Sequence, residues 1–354
     1  MVEELSRTTL EAMITSLEPA WSLQSAERAT EGTDVVYFVR LDTPASSLEA
    51  VLKACSFVDP AAFRPEPVTL QILADETDIP VPTVYGRVDE HESLPAPYFL
   101  MERRDGEVCE GASRALPLPV IERLARAGGR HLATLHEVGS FGRYGTIHCH
   151  SDWMEGTADP TADDLVVGPE GHDTWRDALA AQVAEWPGQF HERFASLADP
   201  FRAFLETRLE AVPAPDRPVF GNTDYRLGNL LINPETGETK AVIDWGNCHT
   251  TEPVYNLVAL EEHLCGYATL DDPRRRRVRR AIEIGYGERT SRPAIEETLF
   301  EEGELTPLGE CYYGVHRLAP LVWFSLWNAS AGPDERQKTA DRHHAVVQDL
   351  LERA

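Results

Sequence analysis

The segment from Phe220 to Gly246 constrains this chain more than any other. In it Asp224 is followed five residues later by Asn229, then by two short apolar runs, Leu230-Leu-Ile232 and Ala241-Val-Ile243, and then by Asp244-Trp-Gly246. Asn233, Pro234 and Gly237 stand between the runs, and these are the residue types that make turns. The pattern predicts a β-hairpin that returns Asp244 to the neighbourhood of Asn229. A loop carboxylate can orient a hydroxyl, while an amide oxygen and a second carboxylate can share a Mg²⁺; such a set suits phosphoryl transfer. Asp-x-x-x-x-Asn alone says little in a chain with 59 acidic residues, so the information lies in the ordered set. The competing reading is a plain hairpin with polar ends.

Asp244-Trp-Gly stands where protein kinases carry Asp-Phe-Gly. Together with Asn222-Thr-Asp224 through Asn229, and with Thr251-Glu-Pro-Val-Tyr-Asn-Leu257, it resembles the aminoglycoside phosphotransferase family of small-molecule kinases. That resemblance implies an α+β, two-lobe protein-kinase-like fold. A small N-lobe, residues 1–101, would hold a five-stranded antiparallel sheet and one main helix; a hinge at 102–106 would lead to a larger, mostly helical C-lobe, 107–354. It further implies ATP or another NTP with Mg²⁺, Asp224 as catalytic base, and Asn229 and Asp244 as metal ligands. The acceptor would be a hydroxyl of a small molecule, aminoglycoside-like or a metabolite such as a sugar, homoserine or choline. Two positions depart from the family: Asn222 replaces its His, and Asn256 replaces its usual Asp. They leave open a pseudokinase-like nucleotide-binding regulator, although a binding module has no use for Asp224.

The upstream half supplies candidates for the nucleotide. Val35 to Arg40 and Glu49 to Cys55 read as strands, and the second carries Lys53. Lysine occurs only at positions 53, 240 and 338 among 33 basic residues, so a lysine on an apolar strand is unlikely to be casual. An ammonium there would pair with ATP phosphates, held by a Glu on the following helix. The helix from about Phe63 to Ala74 offers Glu66, with Pro67 suited to its first turn. The alternative is a surface Lys and a Glu answering the helix dipole. Ala29 to Asp34 would cover the phosphates with only Gly32 as a loop glycine, and a simple hairpin turn fits as well. Asp78 to Pro82 resembles the family's turn into a strand. Pro97 to Glu102 resembles the strand entering the hinge, with Glu102 to Arg104 as hinge candidates before the Asp105-Gly106 turn.

Beyond residue 117 helical spacing dominates. Pro119 to His136 reads as one helix, with His136 expected to answer its C-terminal dipole. Arg274 to Arg280, after the helix-start signal Asp271-Asp-Pro273, reads as a solvated helix paired with the protein's own carboxylates, or as a docking patch for an acidic substrate. His148, Cys149, His150 and Asp152 invite a zinc reading that lacks a visible fourth ligand set. Specificity in the family depends on segments matching roughly 150–212 and 258–354, which hold Trp153, Trp175, Trp186, Glu261, Glu262, Tyr312, Tyr313, His316, Trp323 and Trp327. Such a tryptophan set is more often core than ligand box.

A formal net charge of −26, with arginine in place of lysine, resembles proteins of a high-salt cytoplasm such as that of haloarchaea. The same charge argues against nucleic acid and anionic membranes as partners. No run reaches the apolar length of a membrane span, and the start lacks a signal-peptide pattern. The six cysteines form no Cys-x-x-Cys pair. A cytoplasmic chain with reduced thiols is therefore expected. Neither the acceptor nor the oligomeric state is legible.

Overall fold

The computed structural model describes residues 4–29, 34–55, 59–150, 159–213, 217–329 and 331–353. Five antiparallel strands, β1 (Ser22–Arg28), β2 (Val35–Asp42), β3 (Ser47–Ala54), β4 (Val84–Val88) and β5 (Tyr98–Glu102), form one sheet in the order β1-β2-β3-β5-β4. Side chains alternate across a strand, so Val51 and Lys53 of β3 share one face while Leu52 takes the other. Helix α1 (Arg7–Leu17), capped by Ser6, lays Leu10, Met13 and Ile14 over the face that carries Val35, Tyr37, Val39, Leu41 and Leu52. A one-turn helix α2 (Pro60–Phe63) leads into α3 (Pro65–Glu76), whose Val68 and Ile72 join the cluster that holds Val51, Phe99 and Met101. Lys53 therefore points toward α3, the helix that holds Glu66 in its first turn. Helix α1 is additional to the single main helix expected; its Leu10, Met13, Ile14 and Leu17 spacing is the amphipathic signal that announces it.

The C-lobe is mostly helical: α4 (Leu118–Leu135), α5 (Trp175–Glu185), α6 (Ala198–Arg208), α7 (Pro253–Leu264), α8 (Pro273–Gly287), α9 (Ile295–Leu299), α10 (Pro307–His316), α11 (Leu318–Val322), α12 (Phe324–Trp327) and α13 (Pro333–Glu352). Between α4 and α7 lie the short strands β6 (Ile147–Cys149), β7 (Leu165–Val167), β8 (Val219–Gly221), β9 (Leu230–Asn233), β10 (Glu238–Val242) and β11 (His249–Thr251). Helices α4 and α8 cross at glycines: a Cβ on Gly129 would meet Ile282 O at 2.2 Å, and one on Gly285 would meet Arg126 O at 1.9 Å. Only glycine permits backbones that close.

The arginine run is not a solvated helix along its whole length. It forms the first turns of α8, but Arg275 and Arg279 are buried against Glu261 and Glu262 of α7. Arg275 Nη1 lies 2.6 Å from Glu261 and its Nη2 pairs with Glu262; Arg279 Nε reaches Glu261 at 2.9 Å, and Arg317 reaches Glu262 at 2.6 Å. The pairing with the protein's own carboxylates holds, while its location moves inward because α7 and α8 pack face to face. Of the aromatic set, Trp175, Tyr312 and Tyr313 are core, whereas Trp323 and Trp327 are 46% and 47% exposed. Glu261 and Glu262 are buried in this network and form no acidic wall. All six cysteines are free.

Two ties fasten the β9-β10 hairpin to its surroundings. Glu107, past the end of β5, exchanges backbone hydrogen bonds with Ile232 of β9, and Val242 N of β10 donates to Pro80 O in the turn before β4 at 2.7 Å. Gly106, at φ +131°, makes the first tie possible, since a Cβ there would press on Leu231 Cβ at 2.9 Å.

Candidate active site

The hairpin forms as its turn residues require, with Asn233 opposite Glu238 and Leu230 opposite Val242. Directly beyond β10, Ile243 N donates to Asn229 O at 2.9 Å, which fixes the two ends of the hairpin against each other. Asp244 then takes a left-handed backbone, φ +61°, a conformation that costs a non-glycine residue on the order of 1–3 kcal/mol. That turn swings its carboxylate away from the strand direction and onto Lys53 Nζ at 2.9 Å. Trp245 anchors the turn from below, fully buried, its Nε1 donating to Val242 O at 3.0 Å.

Lys53 is the focus of three carboxylates. Its ammonium lies 2.7 Å from Glu66, 2.9 Å from Asp244 and 3.1 Å from Asp34. Burial works against the ammonium, but Glu66, Asp244 and Asp34 outweigh it and hold Lys53 well above its ordinary range. Burial likewise pushes the Glu66 carboxyl up, to about 7, against the pull of Lys53 and with the support of Asp244 and Asp34. Lys53 holds Asp244 below its ordinary value. Glu66 Oε1 and Asp34 Oδ1 are buried without a hydrogen-bond partner among the described residues.

Asp224 is gripped on both oxygens. Asn229 Nδ2 donates to Asp224 Oδ2 at 2.8 Å, and Arg226 Nε donates to Asp224 Oδ1 at 2.8 Å. Asn222, in place of the family His, accepts from Asp224 N through Oδ1 at 2.9 Å, a turn-forming bond typical of Asn. Asn256 braces the other side: its Nδ2 donates to Asn222 O at 2.7 Å and its Oδ1 accepts from Asn222 N at 3.2 Å. His136 completes the brace, with Nε2 3.2 Å from Asn256 Oδ1 and Nδ1 3.0 Å from the Tyr286 hydroxyl. Burial pushes its imidazole down to about 3, so it is neutral and does not answer the α4 dipole with charge. This corrects the sequence reading of His136; the cause is the packing of α4 against α7 and α8, which no local pattern announces.

The remaining expected positions lie elsewhere. Glu102 and Arg104 sit where β5 ends. Glu102 N already donates to Thr83 O at 2.8 Å, its carboxylate accepts from Thr83 at 3.2 Å, and Arg104 Nη2 donates to Lys240 O at 3.1 Å. Gly32 and Asp152 fall outside the described residues. His148 Nε2 instead meets Glu170 at 3.0 Å, and among the described residues no group of three or more His, Cys, Asp or Glu is placed to hold a metal. Two site residues escape sequence reasoning, Arg226 and Asp34. Arg226 stands two residues past Asp224, and Asp34 one strand away from Lys53; adjacency to those two residues is the signal that could have found them.

The donor chemistry fits a magnesium ion. With Nδ2 committed to Asp224, Asn229 turns its amide oxygen the other way, and Asp244 has a 41% exposed carboxylate. One or two protein oxygens, completed by phosphates and water, are what Mg²⁺ commonly takes.

The sequence profile of the Phosphotransferase enzyme family matches residues 25–297. A curated mouse protein, acyl-CoA dehydrogenase family member 10, is 25% identical over 167 residues; the match covers 47% of this chain and 14% of that protein, so the chain spans a small part of that relative's length. Among solved structures, a candidate aminoglycoside phosphotransferase of Ralstonia eutropha JMP134 superimposes with a TM-score of 0.62 at 17% identity, covering 99% of this chain and 98% of that one. A microcompartment-associated aminopropanol kinase gives 0.55 at 21% identity, over 98% and 97%. An aminoglycoside phosphotransferase of Streptomyces rimosus, solved with ADP and streptomycin, gives 0.51 at 17% identity, over 89% and 98%. At these identities the likeness is one of fold. The profile runs through both lobes and takes in Lys53, Glu66, Asp224, Asn229 and Asp244: the chain belongs to the phosphotransferase enzyme family and has the two-lobe protein-kinase-like fold.

Proposed function

We propose that this enzyme moves the γ-phosphoryl group of ATP, or another NTP, to a hydroxyl of a small molecule. The observation that carries the reading is the single hydrogen bond from Ile243 to Asn229. It ties the Asp224–Asn229 pair to the chain that leads into Asp244 and the Lys53–Glu66 cluster, which supports reading base, metal-type oxygens and phosphate-binding ammonium as one site. In this assignment Lys53, positioned by Glu66, grips the phosphates, and Asn229 and Asp244 hold Mg²⁺. Bound there, Mg²⁺ neutralises charge on the triphosphate. Asp224 orients the acceptor hydroxyl; its oxygen bonds to the γ-phosphorus, the bond to the bridging oxygen breaks, the nucleoside diphosphate leaves, and the hydroxyl proton passes to Asp224. Residues 102–106 serve as hinge between lobes 1–101 and 107–354. No helix among the described residues is long and apolar enough to cross a membrane.

The fold relatives named for aminoglycosides and for aminopropanol make amine-bearing alcohols the first acceptors to test, followed by sugars, homoserine and choline. A coupled ADP-release assay at molar KCl, run over that panel with Asp224→Ala alongside, is the test. Turnover with at least one acceptor is expected, and Asp224→Ala is expected to lower it on the order of 10²–10⁴-fold with nucleotide affinity kept. Nucleotide binding without ADP release from any acceptor would instead favour the regulator reading, which Asn222 in the His position supports.

A further inference from the structure

We infer that Arg226 is a phosphoryl-binding residue, held by Glu110 until the nucleotide arrives and then transferred to the migrating phosphate. The inference rests on the phosphotransferase reading of this site.

Three observations converge. The guanidinium of Arg226 is already docked at the centre: Nε donates to Asp224 Oδ1 at 2.8 Å, on the carboxylate oxygen opposite the one held by Asn229. An acceptor hydroxyl oriented by Asp224 and a triphosphate held at Asn229, Asp244 and Lys53 must leave the γ-phosphoryl between them. Arg226, held on Asp224 Oδ1, borders that gap. Secondly, its outer nitrogen Nη1 is occupied by Glu110, a carboxylate 55% exposed to solvent. Exposed pairs of this kind hold weakly, whereas a phosphate offers a guanidinium more charge and a matching pair of acceptor oxygens. Exchange of Glu110 for phosphate is therefore downhill. Thirdly, the backbone is bare where the pair rests. Gly228 lies directly beneath the pair, and a Cβ there would run into Glu110 Oε2 at 1.6 Å and Arg226 Nη1 at 2.1 Å.

Charge on a transferring phosphoryl group spreads over its equatorial oxygens, and an arginine supplied to them is a large contribution to catalysis. Here the loop supplies it in cis, two residues from the base. Glu110 acts as its resting counter-ion.

Isothermal titration of the full-length protein in molar KCl with Mg²⁺ separates this from other roles. Two probes are compared, ADP and a non-hydrolysable ATP analogue that carries the γ-phosphate. Arg226→Ala should weaken the analogue about tenfold or more and leave ADP within about twofold. Arg226→Lys should recover part of the difference, and Glu110→Gln should tighten the analogue alone. In turnover, Arg226→Ala should lower kcat on the order of 10³-fold, with partial rescue by added guanidinium ion. Equal weakening of both nucleotides, or no change in either, would overturn the assignment. So would an acid limb of the pH–rate profile that shifts while the preference for the analogue stays, since that marks a residue acting only through Asp224. Failure of the wild-type protein to bind either nucleotide would sink the underlying reading instead, and that outcome is visible before any variant is made.

Discussion

Lys53→Met removes the cation that Asp34, Glu66 and Asp244 share, while filling most of its volume. The consequence is set by Glu66, which is buried and titrates near 7 in the folded chain against 4.5 for an ordinary glutamate. Between those two values the folded wild-type protein holds a proton that the unfolded chain has released. Stability therefore falls as pH rises through that window, by about 1.4 kcal/mol per pH unit, and levels off once Glu66 ionises beside Lys53 above about 7. Without Lys53 nothing draws the proton off, and burial together with Asp34 and Asp244 carries the folded value higher still. The decline then continues, so the gap between variant and wild type should widen by about 2 kcal/mol from about pH 7 to about pH 8.5. Near pH 6 both proteins carry a neutral Glu66 and the gap should be at its smallest. Urea unfolding followed by tryptophan fluorescence, at a fixed molar KCl concentration, measures it. A gap that is equal at about pH 6 and pH 8.5 would refute the reasoning, and Glu66→Gln in the Lys53→Met background should flatten the profile.

Removing Asn256 as Asn256→Ala deletes both bonds to the Asn222 backbone and the bond to His136; kcat should fall while thermal stability drops by about 1–3 kcal/mol, read from melts and steady-state rates. Arg275→Met strips a guanidinium from Glu261 and Glu262, both fully buried, and should destabilise by about 3–5 kcal/mol at neutral pH; a loss below about 1 kcal/mol would mean that Arg279 and Arg317 suffice. Burial pushes the Glu261 carboxyl up, but Arg279 and Arg275 outweigh it and hold it below its ordinary value. Its contribution is thus present above about pH 4.5 and lost as pH falls through the depressed value. Circular dichroism melts across a KCl series should show the midpoint rising toward molar salt, where the Debye length falls to about 3 Å and screens the repulsion of a −26 chain; a midpoint indifferent to salt would remove the halophilic reading.

The parts legible in the sequence are those fixed by short-range patterns. The Asn233-to-Gly237 turn, the two apolar runs and the Lys53 strand each became the element they announce, because turn residues and period-two alternation act within a few residues. The helix with Glu66 in its first turn was equally plain. What stayed hidden depends on which surfaces meet. Arg275 and Arg279 look like any exposed arginines until α7 brings two glutamates against them. His136 looks like a dipole partner until Asn256 and Tyr286 take both its nitrogens. Arg226 offered only its adjacency to Asp224; the contact itself depends on how the loop curves around that residue. Helix α1 was legible in principle, since its apolar residues recur at helical steps behind Ser6.

The hairpin that carries Asn229 and Asp244 is stitched on one edge to Glu107, past the end of β5, and on the other to Pro80, ahead of β4. On the proposed division into lobes it is thereby tied to both bodies. A rocking movement of either body must be absorbed by those two backbone ties or passed on to the oxygens at the hairpin's ends. On the proposed assignment, closing around a nucleotide would therefore also reset the separation of the oxygens assigned to Mg²⁺.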